Sequence, residues 1–252
     1  MGPLLSVSLT VLLATACAPV DRAGTAESMS ASTDEQPDVP GGRADARARM
    51  VDRQIAARGI RDPRVLEAMR AVPRHRFVGP DHQQDAYEDF PLPIGHGQTI
   101  SQPYIVAYMV ELAEIAAEER VLEVGTGCGY QAAVMGELAR EVYTIEILEP
   151  LARCAAETLR ALEYDNVHVR HGDGYAGWPE FAPFEAIVVA AAPDHVPPAL
   201  VEQLAIGGRL VIPVGTWHQE IRLITKTREG TTEERLIPVR FVPLTRERGT
   251  GR

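Results

Sequence analysis

The chain is predicted to be an α/β protein: a doubly wound, mostly parallel sheet, preceded by N-terminal helices and closed by an antiparallel C-terminal strand pair. Five short β-branched runs, at residues 120 to 125, 141 to 147, 166 to 173, 184 to 192 and 208 to 215, alternate with helical stretches at 130 to 140, 149 to 163 and 197 to 206. That alternation is the sequence pattern of a parallel sheet with helices on both faces. The first run passes straight into Gly125, Gly127 and Gly129 and then into a helix, the kind of junction at which open α/β sheets bind ligands. The composition agrees. With 45% hydrophobic and 24% charged residues over 252 positions, the chain suits a folded domain with a sizeable core, and collagen-like, wholly disordered and multi-span membrane classes are excluded.

In chain order, residues 4 to 16 form an apolar run of 13 ending at Cys17, too short for a spanning helix of about 20 residues. The run has the form of a signal h-region, and Ala14, Thr15 and Ala16 before Cys17 resemble a lipoprotein cleavage box. Ala14 replaces the usual branched aliphatic, however, and no Lys or Arg precedes the run. A leader over residues 1–17 and a misassigned start or natural N-terminal extension both stay open. Residues 18–45 hold Pro, Gly, Ser, Thr and acids with almost no large apolar side chain, so they are expected to be a disordered linker. Residues 46–252 are then expected to form the main folded domain.

That domain opens with two short helices, RARMVDRQIAARGI and DPRVLEAMRAVPRHRFV, the second with Asp62 at its N-cap and Pro63 at its first position. A loop rich in Asp, Gln, Pro and Gly is expected at residues 79 to 99, followed by an amphipathic helix over 103 to 116. After Pro213 two strands surround a turn at Glu229-Gly230 and are expected to pair antiparallel at the sheet edge.

The formal charge of −10, divided as −4 on residues 1 to 45 and −6 on the rest, argues against a nucleic-acid partner, which needs a Lys- and Arg-rich face. Among 25 basic residues only Lys226 is lysine, and no basic block occurs. Cys17, Cys128 and Cys154 are too few and too widely spaced for a zinc site, and His96, His171, His195 and His218 lack ligand spacing, so no metal is expected. Cys128 is expected to supply its backbone N–H within the glycine loop rather than to act as a nucleophile.

The chemistry centres on VLEVGTGCGY at 121 to 130, where glycines let the backbone turn tightly and approach a ligand closely. A dinucleotide fingerprint would need a small residue at position 130, where Tyr130 stands, which weakens a reading as an NAD-type dehydrogenase. The spacing resembles instead the first motif of class I methyltransferases, E/D-x-G-x-G-x-G, with Glu123 in the acidic slot. The segment AYEDFPLPIGHGQTISQPYIVA (86 to 107) resembles the acceptor-side signature of the protein-L-isoaspartate O-methyltransferases. The likeness continues through GDGYAGWPEFAPFEAIVVAAA, PPALVEQLAIGGRLVIPVG and VRFVPL, covering roughly residues 46 to 245.

That resemblance implies a Rossmann-like class I methyltransferase fold and S-adenosyl-L-methionine as cofactor. It would be held by Glu123, Gly125, Thr126, Gly127, Cys128, Gly129, Glu146, Asp173 and Gly174, with Glu146 on the ribose hydroxyls and Asp173 near the adenine amino group. It implies isoaspartyl proteins and peptides as acceptors, contacted by Tyr87, Ile100, Ser101, Pro213 and Val214, with Asp89 and Pro91 to Ile94 shaping the groove. Ser101 is the implied active residue, in a positioning rather than covalent role, and an N-cap on the following helix is its structural alternative. A monomer in the cytoplasm is expected, with membrane attachment only if Cys17 is lipidated. A non-catalytic exported binding lipoprotein is the remaining alternative.

Overall fold

A computed structural model describes residues 42–246 of the chain. The expectations for the leader, Cys17 and almost all of the linker lie outside the described residues. The first helix, α1 (Arg43–Arg49), begins inside the stretch expected to be linker and runs on through a π-helical turn, Met50–Ile55, and a 3₁₀ turn, Ala56–Arg58. It ends at Gly59, whose φ of 107° stops the helix in the left-handed conformation that glycine tolerates. Met50, Val51 and Ile55 are buried from this segment. In α2 (Pro63–Ala71) the Asp62 carboxylate accepts the Arg64 N–H at 2.8 Å with Pro63 at the first position, as the sequence predicts.

The expected loop before residue 100 differs from the prediction. It contains a hairpin, β1 (Leu92–Gly95) and β2 (Gln98–Ile100), in which Leu92 pairs with Ile100. Its turn residues His96 and Gly97 both have positive φ, 52° and 71°, as a two-residue primed turn requires. Strands of four and three residues interrupted by Pro93 are too short to carry a period-two signal. The hairpin delivers the chain to α3 (Pro103–Ala113), which stops at Glu114 in the left-handed region, φ 48°.

The main sheet comprises β3 (Arg120–Val124), β4 (Glu141–Glu146), β5 (Val167–His171), β6 (Phe184–Val189), β7 (Leu204–Val214), β8 (Gln219–Lys226) and β9 (Thr231–Val239). Its order is β5-β4-β3-β6-β7-β8-β9. The first five strands are parallel, and β7–β8 and β8–β9 pair antiparallel. The predicted mostly parallel sheet with an antiparallel C-terminal pair is therefore what forms. The connecting helices are α4 (Tyr130–Gly136), α5 (Glu149–Ala161) and α6 (Pro198–Glu202). The last is shorter than predicted because the chain enters β7 at Leu204, with Gly207 at φ 85° incompatible with a continuing helix.

Alternation along the central strands explains their uninterrupted apolar runs. Val121, Ala186, Val188 and Val211 pack into the core beneath the N-terminal helices, α3 and α4, while Leu122, Val124, Ile187, Val189, Leu210 and Ile212 pack into a second core on the other face. β3 sits between β4 and β6, so the strand order reverses at its carboxyl end and a crevice opens there. The glycine loop leaves β3 at that point.

Candidate active site

The loop after β3 is held by backbone hydrogen bonds. Gly125 and Thr126 donate their N–H groups to the Ile145 carbonyl at 2.8 and 3.3 Å, and Gly129 donates to the Thr126 carbonyl at 2.8 Å. Gly125, Gly127 and Gly129 have φ of 95°, 54° and 92°, a succession that only glycine adopts without strain. Glu146, at the end of β4, clamps the loop from the neighbouring strand. One of its oxygens accepts the Gly127 N–H at 2.8 Å and the other the Leu148 N–H at 3.0 Å. Each carboxylate oxygen keeps lone-pair capacity on the cleft side, where Glu146 is part of the lining.

Glu123 is fully buried, and strand register places it opposite Thr144. The Thr144 hydroxyl donates to one Glu123 oxygen at 2.5 Å and lies 2.6 Å from the Thr126 hydroxyl, which ties the acid to the loop. Burial pushes the Glu123 carboxyl up to about 8; the Thr144 hydrogen bond opposes the rise and the nearby Glu146 charge adds to it. Its other oxygen has no well-formed hydrogen bond, nor does the buried side-chain amide of Gln131, which is near enough to Glu123 to oppose the rise as well. An unsatisfied buried carboxylate oxygen is costly unless something fills the site. A ligand bearing an ammonium group and hydroxyls supplies what these orphaned groups lack, so the residues present fit the cofactor expected from the sequence.

The cleft is lined by Ile100, Ser101, Glu123, Gly125, Thr126, Gly127, Cys128, Glu146 and Gly174 among the expected residues. Its empty volume, open solvent at the mouth included, is about 770 Å³. Other expected residues stand back from it. Gly129 starts α4 behind the loop. Asp173 caps the turn Gly174–Ala176 by accepting the Tyr175 N–H at 2.9 Å. Beside it Gly174 lies so close to β3 that a Cβ there would sit 2.3 Å from Val124 Cγ1.

Tyr87 is buried in the N-terminal cluster with its hydroxyl 2.7 Å from His75 Nδ1. Pro213 and Val214 end β7 away from the lining. Asp89 pairs with Arg58 at 2.7 Å, and its carbonyl accepts from Gln102 at 3.0 Å, which fixes the rim near Pro91. The N-cap of α3 is Gln102, not Ser101, so the capping alternative for Ser101 does not hold. Burial pushes the Cys128 thiol up to about 11, which leaves it un-ionised and unsuited to nucleophilic attack at neutral pH. Tyr130 is buried edge-on against Phe77 at 5.6 Å, so the side chain that breaks the dinucleotide fingerprint packs α4 onto the N-terminal helices.

Several lining residues had no sequence signal of their own. Gln131 follows the glycine motif and Ala190 falls within the GDGYAGWPEFAPFEAIVVAAA likeness, neither with a role implied for it, and Thr144 behind the lining is identified only by its register opposite Glu123. The segment after β9 turns back over the strand ends: Ala192 donates to the Val242 carbonyl at 2.8 Å and Leu244 to the Ala192 carbonyl at 2.9 Å. Val242, Pro243, Leu244 and Thr245 thereby cover the cofactor cleft. In the sequence Val242 to Leu244 are marked only by the VRFVPL likeness, and Thr245 lies just past it.

Comparison with known proteins agrees with this geometry. The family model of protein-L-isoaspartate(D-aspartate) O-methyltransferase (PCMT) matches residues 45–249. A protein-L-isoaspartate O-methyltransferase of Picosynechococcus sp. is 58% identical over 198 residues, 79% of this chain and 89% of the relative. Another, from Opitutus terrae, is 59% identical over 208 residues, 82% of this chain and 89% of the relative. Among solved structures, one protein-L-isoaspartate O-methyltransferase superposes with a TM-score of 0.73 at 29% identity, over 78% of this chain and 65% of its own. A beta-aspartate methyltransferase (PCMT) from Plasmodium falciparum, in complex with S-adenosyl-L-homocysteine, gives 0.71 at 27% identity, over 80% and 99%. With four-fifths of its length matched and its glycine loop, Glu123 and Glu146 gathered at one cleft, the chain belongs to the protein-L-isoaspartate(D-aspartate) O-methyltransferase family.

Proposed function

We propose that the protein transfers a methyl group from S-adenosyl-L-methionine to the free α-carboxylate of L-isoaspartyl residues in damaged proteins and peptides, the first step of their return to aspartyl. The observation that carries the reading is the single cleft in which the orphaned Glu123 oxygen, the Glu146-clamped glycine loop and Ser101 all meet.

The cofactor supplies an electrophilic methyl on a sulfonium. The acceptor carboxylate, with an ordinary pKa of roughly 3 to 4, is already ionised at neutral pH, so the protein needs no general base. What remains is alignment and exclusion of water. Glu123 faces the cofactor ammonium and Glu146 its ribose hydroxyls. Gly174, held against Val124, closes the adenine end next to Asp173. The Ser101 hydroxyl donates to the carboxylate oxygen that does not attack, which leaves the other on the methyl axis. Thr126, Cys128 and Gly129 shape the loop through their backbone, and Ile100 flanks Ser101. Tyr87, Pro213 and Val214 support the acceptor side from behind it. A dehydrogenase gains nothing from this geometry, because Tyr130 fills the position its cofactor requires.

The domain acts as a monomer, without nucleic acid or metal, and in the cytoplasm, where the cofactor is made; no described helix is long and apolar enough to cross a membrane. Lipid on Cys17 in cells would instead place it at a membrane. The test of function incubates the full chain with labelled cofactor and matched isoaspartyl and aspartyl peptides. Base-labile label on the isoaspartyl peptide alone is expected; transfer to neither peptide overturns the reading.

A further inference from the structure

The cofactor cleft opens at Thr99, Ser101, Ala190 and Val242 into a second groove, whose other lining residues include Pro91, Ile105, Phe241 and Arg240. Among the described residues lining that groove, Arg240 carries the only charge. It is exposed. Arg240 follows β9, and the arginines on β8 and β9 themselves are committed: Arg222 to Glu220 and Glu233, and Arg235 to the same two acids. No described acid lies within ion-pair distance of Arg240.

Its backbone is pinned on the C-terminal side. Phe241 N–H donates to Gln219 Oε1 at 2.6 Å and Gln219 Nε2 donates to the Phe241 carbonyl at 3.1 Å. Arg240 lines the groove but not the cofactor cleft, whereas Ser101 lines both. The guanidinium is therefore placed for chain that runs away from the reacting carboxylate, not for that carboxylate itself.

We propose that Arg240 forms an acceptor subsite for the carboxylate of an acidic residue flanking the isoaspartyl position. This rests on the functional reading above. The charge argument is direct: residues 46 to 252 carry a formal −6 and repel acidic peptides at long range. An unpaired cation beside an otherwise uncharged groove offsets that repulsion at one place. A solvent-exposed pair of this kind changes affinity about two- to fivefold and weakens as salt screens it.

The experiment measures kcat and KM of the full chain on isoaspartyl peptides carrying Glu or Gln at each flanking position in turn. The wild type is expected to show a KM about two- to fivefold lower for Glu at one or more positions in low salt, with the preference reduced in 0.5 M salt. Arg240→Lys is expected to keep that preference, Arg240→Ala to lose it and Arg240→Glu to invert it, all with kcat on the neutral peptide unchanged. Absence of any Glu/Gln difference in the wild type overturns the proposal. So does its persistence in Arg240→Ala, or an equal KM rise on all peptides, which would mark a merely steric part. Failure of the wild type to methylate any isoaspartyl peptide overturns the functional reading, and this one with it.

Discussion

The half of the cleft proposed for the cofactor draws its key groups from residues 123 to 146, two adjacent strands and the loop and helix between them. The half proposed for the acceptor is assembled from the hairpin and Ser101, the turn after β6, and the segment after β9, which together span more than a hundred residues of chain. The cofactor half is polar and over-determined. Glu146 makes two backbone contacts and Glu123 is tied through Thr144 to Thr126. The acceptor groove is mostly apolar side chain and backbone with one cation. An invariant ligand rewards fixed polar contacts, whereas an acceptor of varying sequence is held mainly by what all acceptors share, a backbone and one misplaced carboxylate.

If that contrast is right, the largest effect comes from Glu146→Ala. It removes two charge-assisted hydrogen bonds that position the loop, and each such bond is worth about 1.5–3 kcal/mol. Cofactor Kd is expected to rise roughly a hundredfold by calorimetry, with peptide KM at saturating cofactor little changed; an unchanged Kd would break the comparison. Next, Ser101→Ala is expected to lower kcat by roughly tenfold or more, the loss of one hydrogen bond made in the transition state, while cofactor Kd stays within about twofold. Equal loss of cofactor affinity would move Ser101 to the other half.

Glu123 offers a pH test. Its folded carboxyl is raised to about 8 by burial, against an ordinary value of 4.5. Between those values the folded state holds a proton that the unfolded state has released, so unfolding free energy falls as pH rises through this window. The free protein is therefore expected to lose stability from pH 5 to 8, and Glu123→Gln to flatten that slope in denaturant titrations. Cofactor binding should release a proton at pH 7, detectable as a buffer-dependent binding enthalpy, because an ammonium favours the ionised acid.

The smallest expected effect sharpens the acceptor boundary. Tyr87→Phe deletes the hydrogen bond to His75 and is expected to cost about 1 kcal/mol of stability with peptide KM unchanged. A KM change without a stability change would return Tyr87 to the acceptor groove.

How far each half can be inferred before folding follows from the same contrast. The glycine loop, Glu123 and Glu146 are legible because strand, turn and helix signals are local and the acids sit at strand ends. Asp62 and Pro63 mark a helix start for the same reason. The hairpin at 92–100 was expected as loop, since strands of three and four residues around Pro93 have no period to detect. Tyr87, Pro213 and Val214 belong to acceptor-side motifs yet line neither described cleft, because a motif fixes neighbourhood along the chain and not the direction of a side chain.

The sequence by itself determined the strands, helices and glycine loop with its flanking acids, because hydrophobic period and glycine conformations act over a few residues, while its likeness to a known family implied the cofactor. Only the tertiary structure decided that Glu123 is held by Thr144, that Val242 to Thr245 roof the cleft, and that Arg240 stands unpaired beside Ser101. Those relations depend on strand register and chain return across long separations, and burial, not composition, turns an ordinary Glu into one that holds its proton near neutrality.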